Sequence, residues 1–448
     1  MPASIHLLQR IGPGRAVLIV LLGLAALVVA IFVTARLTAR AEVNRRLAEL
    51  RTAGYPVTLT ELDQSYLPDS PEARDRGREL VKVLQTVQER HRQQAGELGG
   101  RLSPLPVLGE GILPPPGTPL DNEVRQLAVE PLQQLEPALQ ELRTLLAADP
   151  LLVRFPVNFT NGIITLLPHL SPIRNAQQWL LVRSIVATDE RRADEMADTL
   201  TDMLRLSRSL QHEPALISQL VRVALLDMAR GGIERSLASG QLQPNHLAAL
   251  RTELQLANPT NTFHLAMSAE RCCGLSILWD ADNPFIGLNG GTPLTSGQIA
   301  FNLIYRMTGL REQETLFYLD HLGRAVAAGT NSIPERLRIA NELMAVKSSR
   351  WRVLTGMLMP ALSRPFAKEA DTIAQTDALV AALAVTEFHE RQGRWPNGMA
   401  ELVPDYFDSP PVDPRNDTPL KVVATPNGFR VDGKSPLLTI DFPAQGSP

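Results

Sequence analysis

Histidine titrates nearest neutrality and is the commonest acid–base group and metal ligand. The chain carries eight of them: His6, His91, His169, His212, His246, His264, His321 and His389. No two stand four apart, the spacing that puts a zinc-binding pair on one helix face, and no HExxH occurs. A GxSxG elbow and a GxGxxG loop are also missing, so the marks of a serine hydrolase and of a dinucleotide site are not there. Asp320 and His321 are neighbours, and neighbours on a helix point in different directions. Cys272 and Cys273 lack CxxC spacing and are expected to fill a small apolar volume. The polar cluster with most chemical potential is Pro168-His169 with Arg174, joined by His212-Glu213 at a helix end. Packed helices could bring these to one cleft and make a hydrolase site near His169 and His212. A histidine before a helix is more often a cap or a core hydrogen bond, so no catalytic residue is assigned. No cofactor and no metal site is expected.

The elements that must position these residues are helices. The 448 residues are 44% hydrophobic and only 5% aromatic, rich in Leu and Ala, a mixture that favours helix over sheet. With 44 Lys+Arg against 47 Asp+Glu, the charge excludes a generally basic nucleic-acid binder. Residues 215–238 place Leu216, Leu220, Val223, Leu226, Ile233 and Leu237 on one helical face. Helices are expected over 72–97, 194–211, from Pro244 onward, and over 371–391. Their short connections imply antiparallel hairpins, and no fixed repeat period runs through them. The fold class is mostly α: an N-terminal transmembrane helix, an irregular α-helical bundle or solenoid, and a small C-terminal α+β segment with a β-hairpin.

Residues 16–35, AVLIVLLGLAALVVAIFVTA, contain no charge. At 1.5 Å per residue they cover about 30 Å, the hydrocarbon thickness of a bilayer. The run is longer than the h-region of a signal peptide, and a helical pattern continues through Leu37, Ala41, Leu47 and Leu50. An uncleaved single-pass anchor is the reading, with residues 16–35 in the lipid bilayer. Arginines flank both sides, Arg10 and Arg15 before, Arg36, Arg40, Arg45, Arg46 and Arg51 after, and charge alone leaves the topology open.

The expected organisation is an N-terminal tail (1–15), the transmembrane helix (16–35), a helical stalk (36–100), a Pro-rich linker (101–120), an α-helical domain (121–375) and a C-terminal segment (376–448). The linker holds six prolines and three glycines, a density that neither a helix nor a central strand tolerates. Residues 281–298 read as a long Gly/Pro/Asn loop without lysine, hence not a P-loop. In the C-terminal segment Gly393 is a left-handed helix cap, and Leu420–Ala424 and Gly428–Val431 are two strands around Pro426-Asn427-Gly428.

This C-terminal pattern resembles the C-terminal half of type II secretion major pseudopilins, carried by Ala378, Ala382, Gly393, Trp395, Pro396, Leu402, Pro411, Asp413, Pro414 and Gly428. Pseudopilins of this kind bind calcium, but their acidic ligand positions do not map onto this chain. The chain as a whole is similar to uncharacterised bacterial single-pass membrane-anchored proteins that share phrases like GYPVTLTELD and TNGIITLLPHLSPIRNAQQWLL. The likeness implies an architecture and no activity. The expectation is a helical binding or scaffold protein of the bacterial cell envelope, anchored in the inner membrane with its soluble part extracytoplasmic and with protein partners there. The alternatives are an envelope hydrolase and a pseudopilin-related secretion component.

Overall fold

The computed structural model describes residues 13–97, 102–149, 151–260, 262–279, 295–345 and 363–442. The helices in chain order are α1 (Pro13–Thr52), α2 (Leu59–Ser65), α3 (Pro71–Glu97), α4 (Asn122–Ala147), α5 (Leu170–Asp189), α6 (Ala193–Arg208), α7 (Leu216–Ala238), α8 (Pro244–Ala257), α9 (Thr262–Trp279), α10 (Ser296–Met307), α11 (Leu310–Ala328), α12 (Ile333–Ala345) and α13 (Ser363–Gln392). A 3-10 segment, Phe159–Ile164, precedes α5. Strands β1 (Val412–Asp413), β2 (Thr418–Pro419), β3 (Lys421–Thr425), β4 (Gly428–Asp432) and β5 (Pro436–Asp441) close the chain. The fold is mostly α with a small C-terminal sheet, as the composition implies. It divides into two compact units: Met1–Thr58 with Arg271–Gly323 and Lys347–Pro360, and Leu59–Glu270 with Arg324–Val346 and Ala361–Pro448.

The smaller, N-terminal unit is built on α1. Its apolar window has a mean hydropathy of 3.1 and none of it is buried in protein, so this helix is long and apolar enough to cross a membrane. The rest of α1 changes character. Glu42 pairs with Arg45 and Arg46, the latter at 2.8 Å, and Arg45 pairs with Glu49, the spacing of a solvated helix face. Trp279 has two guanidinium groups near its ring, Arg311 at 4.3 Å and Arg40 at 5.8 Å, and donates its indole N–H to Thr315 Oγ1 at 3.1 Å. Cys272 is buried, as its apolar reading requires, and its Sγ meets the Pro56 carbonyl at 3.2 Å.

The larger unit wraps α5. Ile173, Trp179, Leu180, Ile185 and Val186 are all buried, so this helix meets protein on most sides. In α13, every residue from Ala378 to Val385 is buried. Four alanines in that stretch give neighbouring helices room for close approach. Two expectations are corrected here. The helix over 72–97 is no stalk: Leu80, Val83, Leu84 and Val87 of α3 belong to this core. Residues 101–120 are no free linker either, since Leu102, Leu105 and Leu120 are buried in the same core. Proline-rich backbone cannot satisfy its own carbonyls, and Arg235 does so by donating to the Pro114 and Thr118 carbonyls, the first at 2.9 Å. The Leu120 N–H donates to Asp189 at 2.8 Å.

The C-terminal helix starts earlier than expected, at Ser363, and Gly393 ends it with φ of +70°. Both expected strands form, β3 paired antiparallel with β4 through Val423↔Arg430. A third strand, β5, pairs with β4 through Val431↔Leu438. Of its residues only Ile440 is buried. Trp395 stacks on His389 at 3.8 Å and lies 5.2 Å from Phe429, which ties the sheet to the end of α13. Asp413 is buried in its turn and accepts from the Arg415 N–H at 3.0 Å and its guanidinium at 2.9 Å. Burial works against the carboxylate, but the Arg415 contacts hold it below its ordinary range. Of the long loop expected over 281–298, residues 281–294 lie outside the described residues, and its last residues start α10.

Candidate functional site

The acid–base residues singled out by type converge in part, all within the larger unit. His169 begins α5 and Glu213 lies in the turn between α6 and α7; His169 Nε2 is 2.9 Å from Glu213 Oε2. Their residues are 2% and 0% exposed. The same carboxylate accepts the Ser218 hydroxyl on Oε1 and the Tyr66 phenol on Oε2, the latter at 3.3 Å. Tyr66 in turn accepts the Phe155 N–H at 3.2 Å, and the Phe155 ring stacks on His169 with centroids 4.2 Å apart. Glu213 therefore joins the residue after α2, the start of α5 and the first turn of α7, and through Tyr66 and His169 the run at Phe155 as well.

Neither His212 nor Arg174 enters this node. His212 is half-buried; burial, then the neighbouring Arg222 charge, hold its imidazole below the ordinary histidine range. Arg174 is exposed on the first turns of α5. The order of groups also differs from that of a hydrolase triad, where the imidazole stands between hydroxyl and carboxylate and takes the hydroxyl proton. Here the carboxylate stands between Ser218 and His169, so the serine hydroxyl donates to the acid and not to the imidazole. Burial and the Glu213 charge push the Tyr66 phenol well up, which keeps it a neutral donor. What this geometry does is hold four chain segments in one arrangement.

Tyr66 and Ser218 were not foreseen. Ser218 follows Glu213 by five residues, a spacing with no fixed meaning across a helix start. Tyr66 is 147 residues from its partner. Residues 59–66 and the 3-10 segment that starts at Phe159 also meet. Asp63 Oδ1 accepts the Phe159 N–H at 2.9 Å, and the Phe159 ring stands edge-on to Tyr66 at 5.4 Å. Arg154 binds the Asp63 carbonyl at 2.9 Å and the Tyr66 carbonyl, with its guanidinium 4.4 Å over the Tyr66 ring. On this framework the 3-10 segment and its exit present apolar side chains to solvent: Ile163, Ile164 and Leu166 are 56%, 71% and 81% exposed.

A second feature is an open hollow of about 550 Å³ lined by Leu132, Glu136, Arg183, Glu190, Arg192 and Glu195, among others. Its cations are already paired. Arg183 meets Glu136 at 3.0 Å and Glu195 at 2.9 Å, and Arg192 meets Glu190 at 2.7 Å. Such a surface has no excess charge with which to hold an anion. Among the described residues no group of three His, Cys, Asp or Glu is placed to hold a metal ion. No family model, no curated protein and no solved structure matches the chain.

Proposed function

We propose that the protein is a membrane-anchored helical binding or scaffold protein of the bacterial cell envelope. Its α1 crosses the inner membrane once and its larger unit binds a protein partner on the extracytoplasmic side. The observation that carries the reading is the segment Phe159–Leu166. Three large apolar side chains stand more than half exposed on it, while its first residue is fixed by the Phe159 N–H donated to Asp63 and by the Phe159 ring against Tyr66. Monomeric surfaces rarely keep contiguous apolar side chains in water unless something docks on them. An ordered base lowers the entropy lost when a partner binds.

The test is a photo-crosslinking residue at Ile164 in the full chain in its own membrane, with Glu141 on the exposed face of α4 as control. A discrete adduct with one other envelope protein at 164, absent at 141 and lost in Leu166→Ser, is expected. Adducts that are absent or the same at both positions count against the reading. A reporter fused after Pro448 reads the side of the membrane, and a cytoplasmic signal would remove the extracytoplasmic assignment.

A further inference from the structure

In the smaller unit α10 turns its apolar side outward. Ile299, Leu303, Ile304 and Met307 are 57%, 64%, 55% and 61% exposed. At 100° per residue they, with exposed Ser296 and Ala300, fall in one arc of about 140°. Tyr305, on the opposite side of the helix, is buried, and its hydroxyl bonds Glu314. The helix is thus inverted, polar group inward and aliphatic groups outward.

Its position on α1 says what covers that face. Arg36 is the first charge after the uncharged run 16–35, and it lines a shallow hollow together with Ile299, Leu303, Arg306 and Met307. Arg36 is also 3.5 Å from the buried Glu312 carboxylate. A Cβ on Gly309, two residues beyond α10, would stand 3.1 Å from Arg36 Cα. So α10 lies at the level where the apolar part of α1 ends. Its 12 residues cover about 18 Å, too short to span a bilayer and suited to lying in its surface.

We infer that α10 is an interfacial helix that buries Ile299, Leu303, Ile304 and Met307 among the phospholipids around Arg36. Arg36 and Arg306 flank the face, where long cationic side chains reach the headgroups while their stems stay in apolar surroundings. The inference rests on the reading of α1 as a membrane span.

The experiment places p-benzoylphenylalanine at Leu303, and separately at Leu24 in the apolar run of α1, in the full chain in its native membrane. Mass spectrometry reads each adduct. A gain of one phospholipid at both positions is expected. A phospholipid at 24 with a cross-link at 303 to this chain, to a second copy or to another protein overturns the interfacial helix and leaves the anchor standing. A phospholipid at neither overturns both. As a second measure, Leu303→Glu with Ile304→Glu should abolish the lipid adduct from a crosslinker at Met307; an unchanged adduct yield there also overturns the inference.

Discussion

The region around Glu213 and the region around Arg36 solve opposite problems. At Glu213, polar groups are sealed inside an apolar core, so each needs a partner, and Tyr66, His169 and Ser218 all converge on one carboxylate. Around Arg36, the apolar groups are outside. Val17 to Val33 and the aliphatic side of α10 are exposed, while Tyr305, Glu312 and Glu314 are buried. The same chain follows two burial rules, and a difference of rule implies a difference of solvent. Water explains the first region, and the second is what the interfacial placement inferred for α10 requires.

Several changes break or sharpen that contrast. The largest effect is expected for Glu213→Ala, which leaves His169, Tyr66 and Ser218 buried without their shared acceptor. It should cost about 3–5 kcal/mol, measured by denaturant unfolding of the full chain in micelles, with Glu213→Gln milder. A loss below about 1 kcal/mol would show that the node is not the clamp described. Asp377 gives a second test in the same unit. Burial pushes its carboxyl up to about 7, against the Asn258 hydrogen bond of 2.8 Å and with the Asp413 charge adding to the rise. The folded state then holds a proton that the unfolded state releases, so stability falls as pH climbs from about 4 to about 7, by at most about 4 kcal/mol. Asp377→Asn should flatten that slope, and an unaltered pH profile of the melting temperature would refute the assignment.

In the smaller unit, Gly309→Ala should cost about 1–2 kcal/mol. The residue has φ of +79° and no room towards Arg36, and unfolding in micelles reads the loss. The smallest stability effect is expected for Leu166→Ser, within about 0.5 kcal/mol because the side chain is already in solvent. Its consequence should appear in partner cross-linking instead. A large loss of stability there would mean that Leu166 is core and not a presented surface.

How much was legible follows from the range of each interaction. The apolar run 16–35 is local in sequence and was readable, and so were the α7 face through the buried Val223, Leu226, Ile233 and Leu237 and the hairpin around Pro426-Asn427. His169 and Glu213 were singled out by residue type, but their meeting was conditional on packing. The linker over 101–120 was misjudged because proline density reports lost backbone donors, not where the chain lies; Arg235, 121 residues from Pro114, supplies what is missing.

The sequence by itself determined the helical class, the apolar helix long enough for a membrane and the strands β3 and β4, because each depends on residues within one or two turns. The tertiary structure alone decided that Glu213 faces His169, Tyr66 and Ser218 together, that α3 joins the core, and that α10 turns its aliphatic side out beside Arg36. Those depend on which faces meet across tens to hundreds of residues, and no local pattern carries that information.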